Sequence, residues 1–467
     1  MSAILSVRGA RALLVAAFFM AVTLIFTLRD GYRFSATRGQ VDSAAPKENT
    51  DGDKPQPPEV KYIPSPTWTP PAVRDPFPAL ATATAAPAIP PWNTPKPGLH
   101  THYGLDYQPP LFIGFTRTWP ILLQAVVSYI TAGWPPSSIH VVENTGVQHA
   151  NAEGMLTLQN PFFLNHTQLR LLGVNVVRAP VLMNFAQLQN YFTYLARENN
   201  WPWYFWSHMD VLVLSYEDGL EGVTPRAGDK GYKTVYELCL AELNATRHGD
   251  DKDRWADRFF AYDHLTLVNR AAYDAVGGWD TFIPYYMNDC DMHSRLLMGG
   301  WTQRDALAGI VTDVSAVLDD FGAFYRDPSI SPTFTDPNPP PPPPRKDEAK
   351  DDGKKSKREV AEIGGRTGKN AVPTNEETDY WIRLRETANS MFHYKHGSRG
   401  RNTWQLGQQG GVGEPFYYPA RGVAEAIDVL TEAGREVFRR KWGHRDCDLL
   451  TGTRLKADDQ WRVEKDW

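Results

Sequence analysis

Between Leu111 and Leu214 the chain alternates short apolar runs with longer segments of helical spacing, and few folds accommodate that order. "LFIGFTR" is an apolar run that ends in polar residues, and Thr118 and Pro120 then mark a helix start before "ILLQAVVSYITAGW". "IHVVENTG" reads as a second strand closing in turn residues. "LRLLGVNVVRAP" reads as a helix end followed by a third strand. "NFAQLQNYFTYLARENN" has helical spacing, and "WYFWSHMDVLVLS" is a fourth strand that runs into polar residues and resumes. Strands alternating with helices predict an α/β fold with a parallel, doubly wound sheet. Its ligand site lies beyond the carboxyl ends of the strands. Those ends carry Thr116, Arg117, Glu143, Asn144, His208 and Asp210.

The flanks differ in composition. Ala12 to Leu28 is an apolar run near the lower length limit for spanning a bilayer. Arg8 and Arg11 precede it, which favours a cytoplasmic N-terminus. The expected arrangement is a cytoplasmic tail (1–11), a transmembrane signal anchor in the lipid bilayer (12–28) and a proline-rich stem (29–108). Frequent proline removes backbone donors and favours extended structure in such a stem. The remainder is then lumenal, in a single-pass Golgi or endoplasmic reticulum membrane protein. The sequons at Asn165 and Asn244 agree with that placement. Residues 328–373 combine proline with dense mixed charge and read as a disordered insertion. It separates a main block (109–327) from its C-terminal part (374–467), where "YYPARGVAEAIDVLTEAGREVFRRKWG" reads as a helix. A net charge of -5 gives no reason to expect nucleic acid as a partner. Three cysteines allow at most one disulfide.

Four segments follow one another between Phe112 and Trp301: "VVENTG", "MNFAQLQN", "FWSHMDV" and "VGGWDTFIPYYMNDCDMHSR". In order and spacing they resemble the nucleotide-sugar-dependent glycosyltransferases of the GT-A fold, and within those the large inverting family 2. That family has a strand ending in an acid and Asn, and an Asn-x-Gly segment with a second Asn. An Asp-x-Asp motif follows, then Gly-Gly-Phe-Asp with a Glu-Asp-x-Asp-x-x-x-Arg block. The resemblance implies a Rossmann-like, mostly parallel sheet, here with an N-terminal transmembrane helix and a C-terminal extension. Three positions depart from the pattern: His208 stands for the first metal-motif Asp, Asn288 for Glu, and Phe185 for Gly.

Roles follow from the resemblance, residue by residue. Asp210 would hold a divalent metal, Mn2+ or Mg2+, that neutralises the departing diphosphate, with His208 as a second ligand. The structural alternative for His208 is packing beside Trp206 and Met209. "FHYKHGSRGR" offers His393 and His396 as a third ligand, or Lys395, Arg399 and Arg401 as pyrophosphate contacts, or simply a solvated loop. Asp289 would deprotonate the acceptor hydroxyl. Asp291 is the second member of this catalytic pair, orienting the loop and helix together with Arg295. A plainer account of both acids is that they offset a helix dipole. Gly277 and Gly278 allow a turn, and Trp279 offers a ring face to a sugar. Thr116, Arg117, Glu143, Asn144 and Asn184 are the remaining nucleotide-sugar candidates, while Asn184 and Asn190 equally suit helix capping. The implied activity is transfer of a sugar from a nucleotide-sugar donor to a glycan or glycoconjugate acceptor, with inversion. The alternative is a catalytically inactive relative that binds sugar or serves as a scaffold.

Overall fold

The computed structural model describes residues 59–64, 72–336, 376–397, 414 and 420–466. The chain divides into two units, Met1–Thr67 and Trp68–Trp467. In the first, residues 59–64 form neither helix nor strand.

The second unit contains strands β1 (Leu111–Phe115), β2 (Ile139–Glu143), β3 (Asn175–Arg178), β4 (Trp203–Ser207) and β5 (Val211–Leu214). Strands β6 (Trp255–Phe259), β7 (Leu265–Asn269), β8 (Thr302–Asp305) and β9 (Ile310–Asp313) follow. The main helices are α1 (Trp119–Thr131), α2 (Phe185–Glu198), α3 (Val235–His248), α4 (Asn288–Met298), α5 (Glu376–His396) and α6 (Ala420–Trp442). Among the described residues, seven strands form one sheet in the order β3-β2-β1-β4-β7-β6-β8. β1, β2, β3 and β4 are mutually parallel, and β7 runs antiparallel to both β4 and β6. The fold is therefore mixed α/β with a mostly parallel, Rossmann-like central sheet.

Alternation along the strands assigns the two faces. Leu111, Ile113, Phe115 and Phe205 point into the main core with α1 and α3. Phe112, Tyr204 and Trp206 point into the opposite core with α2 and α4. Helix α1 is buried along its whole length, as an apolar helix without a polar face must be. Its N-cap position is Thr118, as expected, but Thr118 is left-handed and makes no side-chain cap. Its N–H instead donates to the Pro161 carbonyl at 2.7 Å.

"WYFWSHMDVLVLS" does break and resume. β5 leaves the central sheet and pairs antiparallel with β9. The Val314 N–H donates to the Asp210 carbonyl at 2.7 Å, so the break is anchored on the chain leaving β9.

The sequence places a spacer up to residue 108. In the structure Phe77, Leu80, Leu99 and Leu105 belong to the main core, and Leu80 and Leu99 reach it from the short helices Pro78–Thr82 and Leu99–His102, the first begun by a proline that needs no N–H there. The Ala12–Leu28 run and residues 337–373 lie outside the described residues. Among the described residues no helix is long and apolar enough to cross a membrane. The expected single-pass placement in a Golgi or endoplasmic reticulum membrane is corrected accordingly, since nothing described supports it.

The helix expected near the C-terminus is α6. Its last turn is tied to the main fold by Lys441, whose ammonium contacts Asp280 at 2.7 Å and Asp291 at 2.6 Å. A disulfide between Cys290 and Cys447 lies beside this contact, while Cys239 is free and buried. Gly434 lets α6 lie directly on the Tyr286 backbone, because a Cβ there would overlap the Tyr286 carbonyl oxygen. Gly434→Ala gains about 1 kcal/mol of helix propensity. Overpacking against rigid backbone costs about 1–3 kcal/mol. The expected outcome is a lower denaturation midpoint; a raised midpoint would show that α6 does not press on this segment.

Candidate active site

The break between β4 and β5 exposes His208 and Asp210 at the carboxyl end of the central sheet. Lys395, near the end of α5, reaches Asp210 at 2.6 Å and Asp313 at 2.9 Å, so one ammonium group bridges two carboxylates. His396 contacts the other Asp313 oxygen at 2.7 Å, and His264 approaches Asp313 at 3.8 Å. Burial works against each charge, but the Lys395 ammonium holds the Asp210 and Asp313 carboxyls below the usual carboxylate range. Burial likewise opposes the Lys395 charge, yet the two carboxylates raise its pKa above the ordinary lysine value.

The expected metal ligands do not converge. The His208 ring stacks on Phe185 at 5.9 Å and meets the edge of Trp206 at 5.1 Å, while its Nε2 faces Asp263 at 3.6 Å. This is largely the packing alternative, with Phe185 and Trp206 as the neighbours. Asp210 is held by Lys395, His396 by Asp313, and His393 is exposed with its ring against Phe392. Among the described residues no three His, Cys, Asp or Glu side chains gather as a metal site. The ligand set of His208, Asp210, His393 and His396 does not fit Mn2+ or Mg2+ in this arrangement, because a lysine ammonium sits between the carboxylates.

The second half of the site lies at the start of α4. Asp289 is half-buried and accepts a hydrogen bond from the Tyr262 hydroxyl at 2.8 Å. Ala261 and Tyr262 both have positive φ, at 69° and 53°. Such strain costs on the order of 1–3 kcal/mol per residue and persists only where surrounding structure enforces it. Burial raises the Tyr262 pKa, and the Asp289 and Asp263 charges raise it further, so the phenol stays a donor.

Asp291 is not open to a substrate. It is fully buried, with Arg295 Nε on one oxygen at 2.8 Å and Lys441 and the Trp442 indole N–H on the other at 2.6 and 2.9 Å. Its catalytic assignment is corrected to that of an anchor, in line with the expected orienting role. Arg295 extends the anchor by donating to the Val276 and Gly278 carbonyls. Gly277 and Gly278 have φ of 82° and 72°, and a Cβ on Gly278 would come within 2.6 Å of the Asn190 amide oxygen. Asn190 is neither cap nor open ligand; it pairs with both backbone polar groups of Trp279. Asn288, where the family pattern has Glu, donates to the Asp280 and Ile283 carbonyls and so holds the same loop.

Trp279 is also corrected. Only 2% of it is exposed, and its ring meets Phe185 and Trp206 edge-on inside the core. No ring face remains for a sugar.

At the expected nucleotide end, Thr116 and Arg117 are half-buried after β1, with the guanidinium 3.4 Å from the Thr116 hydroxyl. Burial lowers the Arg117 pKa, opposed by nearby Tyr285 and Asp210. Glu143 is fully buried, accepting from Asn151 at 2.9 Å and contacting His166 at 2.9 Å. Asn144 exchanges two hydrogen bonds with the Met183 backbone. Asn184 caps α2 in a capping box with Gln187. Glu143, Asn144 and Asn184 thus hold the strand-end loops in place, while Thr116 and Arg117 follow β1 at its carboxyl end.

Asp263, His264, Asp313 and Tyr262 belong to the site and were not anticipated. Asp313 had a readable signal, since "GIVTDVS" is another short apolar run ending in an acid. Tyr262 had none, because neither Ala nor Tyr signals a left-handed backbone.

The charge cluster sets a pH dependence. A depressed carboxylate contributes stability above its unfolded pKa and loses it as pH falls through the folded pKa. A raised lysine contributes below its unfolded pKa and loses it as pH rises through the folded pKa. The stability difference between wild type and Lys395→Met is therefore expected to be flat from roughly pH 6 to 9 and to shrink below roughly pH 4. Denaturant titrations across pH check this, and a difference that persists in acid contradicts it.

No family model matches the chain, and no curated protein matches it. Solved structures do. One is the mannosyltransferase PcManGT from Pyrobaculum calidifontis in complex with GDP-Man and Mn2+, at 10% identity and TM-score 0.27. The match covers 44% of this chain and 60% of that one, so this chain spans less than two thirds of its length. Another is a cytidylyltransferase from Leptospira borgpetersenii serovar Hardjo-bovis, at 8% identity and TM-score 0.25, covering 42% of this chain and 75% of that one. At these scores the likeness carries no functional argument.

Proposed function

We propose that the chain is a nucleotide-sugar-dependent glycosyltransferase of the GT-A type, with Asp289 as its base. The observation that carries the reading is a line of contacts along the strand ends. It runs from Asp289 to Tyr262 (2.8 Å), through the neighbouring His264 ring (6.2 Å) to Asp313 (3.8 Å), then to Lys395 (2.9 Å) and Asp210 (2.6 Å). A proton acceptor and a lysine ammonium thus sit at the same strand ends. That is what a reaction needs when it deprotonates a hydroxyl at one side and releases a diphosphate at the other.

In this reading Asp289 takes the proton of an acceptor hydroxyl on a glycan or glycoconjugate. The hydroxyl oxygen attacks the anomeric carbon of the donor. The bond to the nucleoside diphosphate breaks, its electron pair leaves on the diphosphate, and in-line attack inverts the centre. Tyr262 holds the Asp289 carboxylate in one orientation, and the buried Asp291–Arg295 pair fixes the turn from which α4 begins.

A screen of nucleotide sugars for release of nucleoside diphosphate identifies the donor. With it, Asp289→Asn should lower turnover by roughly two to four powers of ten, the range for a positioned general base, while donor affinity changes little. Asp291→Asn should lower the denaturation midpoint and cost less rate. Near wild-type turnover in folded Asp289→Asn protein would remove Asp289 as base. Donor binding without turnover by the wild type would favour the non-catalytic alternative.

A further inference from the structure

The cation position of this site is filled by the chain itself. Lys395 lies on a helix whose Leu384, Ala388, Met391 and Tyr394 are buried in the main core, so its backbone is fixed. The ammonium bonds Asp210 and Asp313, and its side chain stays 10% exposed. An ammonium group has three N–H donors, and among the described residues no other partner takes the third. Arg117 follows β1 at its carboxyl end, and the His208 ring faces Asp263 at 3.6 Å. The Lys395 ammonium thus occupies the position between the two carboxylates that a divalent ion would otherwise take.

We propose that Lys395 anchors the diphosphate of the donor in place of a divalent metal ion, so that binding is metal-independent. The inference rests on the donor reading above and adds the means of holding its leaving group. Asp210 and Asp313 act as positioning residues that fix the ammonium group, and the third N–H points the positive charge at a phosphate oxygen. When the anomeric carbon–oxygen bond breaks, the electron pair stays on the diphosphate. The added negative charge then falls on an oxygen already hydrogen-bonded to a cation. Such charge-assisted bonds are about twice as strong as neutral ones and need no ion to be recruited. A metal ion between Asp210 and Asp313 would first have to displace a desolvated ammonium from both carboxylates, leaving it without a partner.

The test is calorimetric titration of the full chain with uridine, guanosine and cytidine diphosphates, in EDTA and again in Mn2+. The expected result is that at least one binds the wild type in EDTA, with a Kd that Mn2+ changes by no more than about twofold. Lys395→Met should weaken that binding roughly ten- to hundredfold in EDTA, as loss of one charge-assisted bond predicts. Lys395→Arg, which keeps the charge, should retain most of it and serves as the fold control. Wild-type binding that requires Mn2+ would overturn the inference and leave the donor reading intact. Unweakened binding by Lys395→Met in EDTA would also overturn it. Absence of binding in both conditions would remove the donor site, and this inference with it.

Discussion

A single ammonium group between two carboxylates joins three parts of the chain that are far apart in sequence. Lys395 meets Asp210 from the break in the fourth strand and Asp313 from the end of the minor sheet. Leaving either carboxylate unpartnered at this depth would cost several kcal/mol. Once formed, the pairings set the position of everything around them. The minor sheet is held under the strand break, α5 is docked with its end at the crevice, and His396 and His264 are drawn to Asp313. In the proposed reaction, the charge that organises the fold here also meets the departing anion.

A second clamp works on the other side of the crevice. Asp291 receives Arg295 from its own helix and Lys441 from α6, and Arg295 passes the constraint to the diglycine turn. The Cys290–Cys447 disulfide and the Gly434 contact fasten the same helix to the same loop. Asp289, two residues from this anchor, has a rigid base and an open side chain. Two acids separated by one residue have thus taken opposite parts. One is buried and paired with two cations, the other half-buried and touched by a strained tyrosine.

Much of this was legible in the sequence, and the parts that were not share a physical cause. The strand and helix order was readable because period-2 and period-3.6 patterns are local. Asp210 and Asp289 were legible as acids at element ends, but the ammonium that takes the place of Asp210's expected metal was not. Lys395 was visible only as one member of a basic stretch, since its partners lie 185 and 82 residues away. Asn144, Asn184 and Asn190 are polar at strand and helix ends, as ligands would be. Their side-chain amides instead replace backbone partners, which short polar side chains do readily. Trp279 follows two glycines and so reads as an exposed turn residue. The freedom of those glycines lets its ring turn inward, where so large an apolar surface is more stable. Phe77 and Leu80 were hidden by the prolines around them.

The most direct measurement of the central claim is a crystal structure of the full chain with its nucleotide sugar bound, grown with Mn2+ present. The expected structure has the diphosphate within hydrogen-bond distance of the Lys395 ammonium, with the anomeric carbon facing Asp289. A diphosphate bound away from Lys395, or a metal ion seated between Asp210 and Asp313 with the lysine swung out, would contradict it.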